Sequence, residues 1–258
     1  MAFLECHAQS KVLGKLCCFN VLLPQNYEAD GKTPAQRREY KVLYLLHGLG
    51  GDYMSWMRQT SIERYASAIK DLVVVMPDGD RSFYTDMKHG LAYWTFIAEE
   101  LPGIVRQFFP VSSRKEDTFA AGFSMGGYGA LKLALTYPER FAGCGTLSAA
   151  ADMQEMFANE KYAESRKLYD IFGSPGELAE DGNDLFALIP RAMSKKDLPE
   201  IIQICGTEDS LWQANEKLKS ALEAANYPGY HFEGHPGSHN WGFCDTYIQT
   251  ILDHFFKK

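Results

Sequence analysis

Short apolar runs alternate along the chain with longer stretches whose apolar positions recur at three- and four-residue spacing, the rhythm of strands and helices. Two short apolar stretches around Gly14, within Val12 to Leu23, predict an antiparallel hairpin at a sheet edge. Buried strands are predicted at Lys41 to Leu46, Leu72 to Met76, Thr118 to Gly122, Cys144 to Leu147, Ile201 to Cys205 and Tyr230 to Glu233, each closely followed by Gly, Pro, Asp or Ser. Helices are predicted at Ser61 to Lys70, Ile97 to Phe109, Gly127 to Tyr137, Ala214 to Asn226 and Trp241 to Phe256. The last opens after Ser238-His239-Asn240 and ends in Lys257-Lys258. Near-continuous apolar strands separated by helices predict an α/β fold: a mostly parallel central sheet of about eight strands with helices on both faces.

Ala151 to Pro199 breaks that rhythm, mixing Tyr162, Leu168, Phe172, Leu185, Phe186 and Leu188 with many charges. It reads as a small, mainly helical, lid-like insertion over one end of the sheet, inside a single domain spanning residues 1–258. No repeat, low-complexity tract or linker divides the chain.

Composition narrows the function classes. Hydrophobic residues make up 46% of the chain, enough to fill a core. The net charge of −7, with no basic cluster, would repel a phosphate backbone, so nucleic acid is not an expected partner. Met1 to Ser10 is only briefly apolar and contains Glu5 and His7, unlike a secretory signal, and no uncharged run approaches the ~20 residues of a membrane span. The expected compartment is the cytoplasm. Six cysteines without a Cys-x-x-Cys pair fit it; Cys17, Cys18, Cys144 and Cys205 lie in strand-like runs and read as small buried hydrophobes.

Gly122-Phe123-Ser124-Met125-Gly126 is a Gly-x-Ser-x-Gly turn between a predicted strand and a predicted helix. Such an elbow lifts a serine hydroxyl clear of the backbone, and its glycines are needed because a Cβ there would collide with neighbouring chain. The hydroxyl needs a base, and the base an acid that holds its tautomer, in the chain order Ser, acid, His. Gly206-Thr207-Glu208-Asp209 follows a buried strand at its carboxyl end, so Asp209 is the preferred acid and Glu208 the runner-up. Among seven histidines, His231 and His254 read as structural, and His7, His47 and His89 precede the serine or acid. His239, directly before the terminal helix, is preferred over His235, whose backbone Pro236 stiffens. Oxyanion donors are expected from the Met125 amide and from His47-Gly48-Leu49-Gly50-Gly51, with the Leu49 amide favoured and its side chain incidental.

With these residues placed, the sequence resembles the α/β-hydrolase family that groups esterase D, the antigen 85 mycolyltransferases and small bacterial tributyrin, acetyl and feruloyl esterases. The resemblance rests on Leu45-Leu46-His47-Gly48, Met76-Pro77-Asp78-Gly79, Glu100-Leu101-Pro102, Gly122 to Ala130, Cys205 to Asp209 and Gly237-Ser238-His239. It implies the α/β-hydrolase fold, a triad of Ser124, Asp209 and His239, oxyanion amides at Leu49 and Met125, and no cofactor. S-formylglutathione hydrolases of the family typically carry a cysteine after the oxyanion glycine and a histidine after the elbow glycines; here those places read Leu49-Gly50-Gly51 and Tyr128. The resemblance therefore favours a serine carboxylesterase of short acyl esters. Feruloyl or carbohydrate acetyl esters are the nearest variant, and formylglutathione hydrolysis or acyl transfer lies further off. A non-catalytic member and a peptidase are weaker alternatives.

The expected partner is a small-molecule ester, with neither nucleic acid nor membrane, and the chain is compatible with a homo-oligomer. Trp56, Tyr128 and Trp212 are the expected substrate contacts, among aromatics that include Phe83, Tyr84, Trp94, Phe157 and Tyr162. Asp78 and Asp80 lack a further ligand at metal-binding spacing and read as turn formers, so no metal is expected.

Overall fold

A computed structural model describes residues 1–25 and 39–257; Lys258, placed by the sequence at the end of the last helix, lies outside them. Eight strands form one sheet: β1 (Ala2–Gln9), β2 (Leu16–Leu23), β3 (Lys41–Leu46), β4 (Leu72–Pro77), β5 (Thr118–Phe123), β6 (Gly143–Leu147), β7 (Glu200–Gly206) and β8 (Tyr230–His235). Their order is β1-β2-β4-β3-β5-β6-β7-β8. The pairs β1/β2 and β2/β4 are antiparallel and the remaining ladders parallel. This is the expected mostly parallel α/β architecture, with β5, the strand leading to Ser124, in its middle.

The inner strands β2 to β7 are largely apolar because helices cover both faces, and alternate residues feed two separate cores, whereas the edge strands β1 and β8 are half-exposed. Along β3, Val42, Tyr44 and Leu46 face one side and Leu43 and Leu45 the other. Helices α1 (Ser55–Gln59), α2 (Ile62–Ser67) and α11 (Trp241–Phe256) close the second core through Trp56, Ile62, Ala66, Phe243, Ile248 and Ile251. On the first face lie α3 (Tyr93–Thr95), α4 (Leu101–Phe108), α5 (Met125–Thr136), the segment between β6 and β7, and α10 (Trp212–Ala224). That segment carries α6 (Met153–Ala158), α7 (Glu160–Arg166), α8 (Leu168–Phe172) and α9 (Leu185–Met193). Every residue of α5 from Met125 to Leu135 is buried, as expected of a helix covered by the sheet on one side and by α9 on the other.

Four sequence expectations change. The hairpin lies at the sheet edge, but its first arm is β1, while Val12 to Gly14 belong to the turn. Strand β1 alternates half-buried Ala2, Leu4, Cys6 and Ala8 with exposed Phe3, Glu5, His7 and Gln9, an edge pattern that a search for continuous apolar runs passes over. Cys18 is not buried: it is half-exposed, and its thiol lies 3.3 Å from His7 Nδ1 across the hairpin. The helix expected over Ser61 to Lys70 is shortened to α2 and preceded by α1, and the one expected from Ile97 begins with a π-helical turn at Phe96–Glu100 before α4. Among the described residues no helix is long and apolar enough to cross a membrane.

Candidate active site

The elbow is built by sterics. Strand β5 ends at Phe123, Ser124 takes φ 57° and ψ −115°, and α5 starts at Met125. A non-glycine residue held at positive φ is strained, and the surroundings hold it there: the Ser124 amide donates to the Leu147 carbonyl on β6 at 2.9 Å, and its carbonyl accepts from Tyr128 and Ala150. A Cβ on Gly122 would sit 2.3 Å from the Gly126 backbone, and one on Gly126 would sit 2.2 Å from the Leu46 carbonyl oxygen. The strand and helix meet too closely at these two positions for any side chain.

Two loops carry the acid and the imidazole to that hydroxyl. Asp209 follows β7 and His239 lies between β8 and α11. The loops cross at glycines: a Cβ on Gly206 would lie 2.3 Å from the Gly237 carbonyl oxygen, and the Glu208 amide donates to that carbonyl at 3.0 Å. Asn240, next to His239, caps α11 by accepting from the Phe243 amide at 3.0 Å, which fixes where the imidazole leaves the helix. His239 Nε2 is 2.9 Å from Ser124 Oγ, and Nδ1 is 2.8 and 3.0 Å from the two Asp209 oxygens. The neutral tautomer that satisfies both contacts donates from Nδ1–H to Asp209 and leaves Nε2 to accept the serine proton.

The Asp209 carboxylate is buried and also accepts from the Leu211 amide at 2.8 Å. Burial pushes its pKa up, but hydrogen bonds from His239, the Leu211 amide and Ser148 outweigh it and hold the carboxyl below the usual Asp range. The alternatives lie elsewhere: Glu208 is exposed, and His235 pairs with Glu233 at 2.7 Å and stacks on Tyr247.

Met125 follows Ser124 directly in the chain, and Leu49 lines the cavity at Ser124 with a backbone amide that has no internal acceptor among the described residues. Sequence reasoning set His47 aside as a base and gave it no other task. The structure gives it one: it is buried, accepts from the Gly79 amide at Nε2 (2.9 Å) and contacts the Gly48 carbonyl through Nδ1 (2.9 Å). Tyr84 donates its hydroxyl to the His47 carbonyl at 2.9 Å. Together they brace the glycine loop that carries Leu49. Its position directly after strand β3 and before Gly48 was the available clue.

A cavity of about 220 Å³ opens beside Ser124 and His239, walled by Leu49, Phe83, Ala150, Met156 and Leu211, with Tyr162, Arg166 and Ser210 at its edge. A second hollow of about 350 Å³ shares Met156, Tyr162, Ser210 and Leu211 with the first and adds Asp152, Glu155 and Asn159. The three expected substrate contacts fall away from this wall. Trp56 is 1% exposed in the second core, donating to the Leu46 carbonyl and packing on Trp241; Trp241 and then Phe123 carry the contact up to the His239 ring. Tyr128 is fully buried, with its hydroxyl on the Asn183 carbonyl at 2.7 Å. Trp212 packs on Phe232. Spacing identified these rings as near the loops but could not say which way they point.

Asp78 accepts from the Asp80 amide at 2.9 Å, the turn role expected of the pair. Among the described residues no group of three or more His, Cys, Asp or Glu side chains could hold a metal ion.

Residues 10–254 match the family described as "Putative esterase". The chain is similar to an acetyl esterase of Caldicellulosiruptor saccharolyticus, 31% identical over 266 aligned residues that cover 100% of this chain and 99% of that protein. It is similar also to the fluorophosphonate-binding serine hydrolase F of Staphylococcus aureus, solved with substrate bound, at 33% identity and a TM-score of 0.88, covering 98% of each chain. An S-formylglutathione hydrolase from Staphylococcus aureus superposes with a TM-score of 0.84 at 32% identity, again over 98% of each chain. With the family match spanning nearly the whole sequence, the chain belongs to the esterase family of serine hydrolases acting on carboxylic esters.

Proposed function

We propose that this chain hydrolyses short-chain acyl esters through an acyl-enzyme on Ser124, with His239 as base and acid, Asp209 as the group that orients it, and the Leu49 and Met125 amides as oxyanion donors. Ser124 Oγ forms a bond to the ester carbonyl carbon as its proton passes to His239 Nε2. The carbonyl oxygen, now carrying the charge, accepts from the two amides. Collapse breaks the bond to the alkoxy oxygen, which leaves as the alcohol with the proton from His239. Water then repeats the sequence on the acyl-enzyme, with His239 taking its proton and returning one to Ser124, and the carboxylic acid departs.

The observation that carries this reading is the unbroken contact series from Ser124 Oγ through the imidazole to the buried Asp209. The short-chain preference is supported by the apolar residues Leu49, Phe83, Ala150, Met156 and Leu211 that wall the roughly 220 Å³ at the serine, while the adjoining hollow adds the polar Asp152, Glu155 and Asn159. The segment from Ala151 to Pro199, which supplies Met156, Tyr162 and Arg166 to that space, is proposed as a lid-like part of a single domain. The six free thiols fit a cytoplasmic location.

Hydrolysis of 4-nitrophenyl acetate and butyrate, together with fluorophosphonate labelling, is the test. Loss of both signals in Ser124→Ala is expected, and hydrolysis within tenfold of wild type would remove Ser124 from the chemistry. The likeness to a solved S-formylglutathione hydrolase makes that thioester the second substrate to assay, although Leu49-Gly50-Gly51 and Tyr128 stand where such enzymes carry Cys and His. Feruloyl and sugar acetate esters complete the panel, and added glycerol separates acyl transfer from hydrolysis by product analysis.

A further inference from the structure

Arg166, the last residue of α7, lines the same cavity as Ser124 Oγ and the His239 imidazole. Its only interaction among the described residues is with the Tyr162 ring, whose centroid lies 5.2 Å from the guanidinium carbon, and no carboxylate comes within ion-pairing distance. The other cation on this side differs. Lys217, on α10, is already paired with the buried carboxylate of Asp152 in the adjoining hollow. Asp152 is thereby neutralised, while among the described residues the donors of the half-buried Arg166 side chain have no acceptor.

Among the described residues this guanidinium has an aromatic neighbour but no counter-charge, so its N–H donors are available to an anion that enters the cavity. Its planar fork matches a carboxylate in a two-bond geometry, and the Tyr162 ring, one turn earlier on α7, lies beside it. The chain as a whole carries −7, so an unpaired cation at the mouth of the reacting cavity stands against the general charge and would draw an anion toward that point.

We propose that Arg166 is the binding group for a carboxylate carried by the substrate, so that the preferred esters of this site are anionic. The inference rests on the esterase reading above and adds the charge of the substrate to it. The carboxylate can come from the acyl half or from the alcohol half of the ester, and matched pairs of probes distinguish the two. For the acyl half the pair is 4-nitrophenyl hemiglutarate against 4-nitrophenyl butyrate; for the alcohol half it is 4-acetoxybenzoate against phenyl acetate.

The quantity read is the ratio of kcat/KM for the anionic over the neutral member of each pair. In Arg166→Gln the ratio falls about tenfold or more in at least one pair, chiefly through KM, as expected from losing a hydrogen-bonded charge. Arg166→Lys restores part of it, and added salt lowers the wild-type ratio. Lys161→Gln removes the same charge from an exposed position of α7 and leaves the ratio unchanged. A smaller fall in both pairs, or an equal fall for Lys161→Gln, overturns the proposal. Ser124→Ala separates the two levels. If the probes turn over without Ser124 the esterase reading itself fails, whereas Ser124-dependent turnover with a ratio indifferent to Arg166 removes this inference alone.

Discussion

The two halves of the reacting cavity are built on different terms. The floor, made by β5, the elbow and the glycine loop after β3, admits almost no variation: Gly122 and Gly126 have no room for a Cβ, Ser124 is held at positive φ, and His47 is fixed from both ring nitrogens. The roof, made by α6 and α7, touches the cavity with the flexible side chains of Met156, Tyr162 and Arg166. It is tied down at a few polar points, among them Lys217 with Asp152, Lys88 with Glu177, and the Asn183 side chain with Lys132 and Thr85. A floor of backbone atoms suits chemistry, which requires fixed distances. A roof of side chains suits selection among substrates, because it can be changed without moving the reacting atoms.

Substitutions in each half test that division. On the floor, Ser124→Ala should lower kcat/KM for 4-nitrophenyl butyrate by roughly 10⁴-fold or more while the folded protein retains its unfolding midpoint. Gly126→Ala should cost stability by about 3 kcal/mol in a denaturant titration, since its methyl would meet the Leu46 carbonyl at 2.2 Å and backbone cannot swing aside. On the roof, Met156→Ala should instead move selectivity, raising the octanoyl-to-butyryl ratio of kcat/KM about tenfold. If Met156→Ala abolished turnover of every ester alike, or Gly126→Ala were neutral, the division between the halves would fail.

Where floor and roof are joined, the expected effect depends on pH. Lys132, on α5, is buried beneath the roof, donating to Thr85 and to Asn183 at 2.8 and 2.7 Å. Burial pushes its pKa down to about 7, against the opposing pull of Asp86 and Asp181. In the unfolded chain the same amine keeps a value near ~10.4. Between these two values the unfolded state holds a proton that the folded state has released, so this group makes folding more favourable as pH rises from about 7 toward the unfolded value. Denaturant midpoints taken across that range should climb less steeply in Lys132→Met than in wild type. Equal slopes would mean that the buried amine is not the titrating group.

The floor was largely legible in advance because its constraints are local. A strand, a Gly-x-Ser-x-Gly turn and a helix are contiguous, and the close approach that demands the glycines is reproduced wherever such a turn is made. The acid and imidazole were legible at one remove, as polar loops at the carboxyl ends of parallel strands, a place set by sheet topology. The edge strand β1 was missed because half of its residues face solvent, and Trp56 was misplaced because its ring turns into the second core beneath the site rather than into the cavity.

Sequence by itself therefore determined the inner strands and the longer helices between them, the elbow and the small set of polar loops able to reach it, since these follow from residue periodicity and from contacts between near neighbours. Only the tertiary structure decided which of two acids and seven histidines stand together, which aromatics support the imidazole from below, and that Arg166 lines the serine's cavity with no counter-charge among the described residues. Those facts depend on the direction in which a side chain leaves its backbone and on what lies opposite across 30 or 115 residues of intervening chain, and no local pattern carries that information.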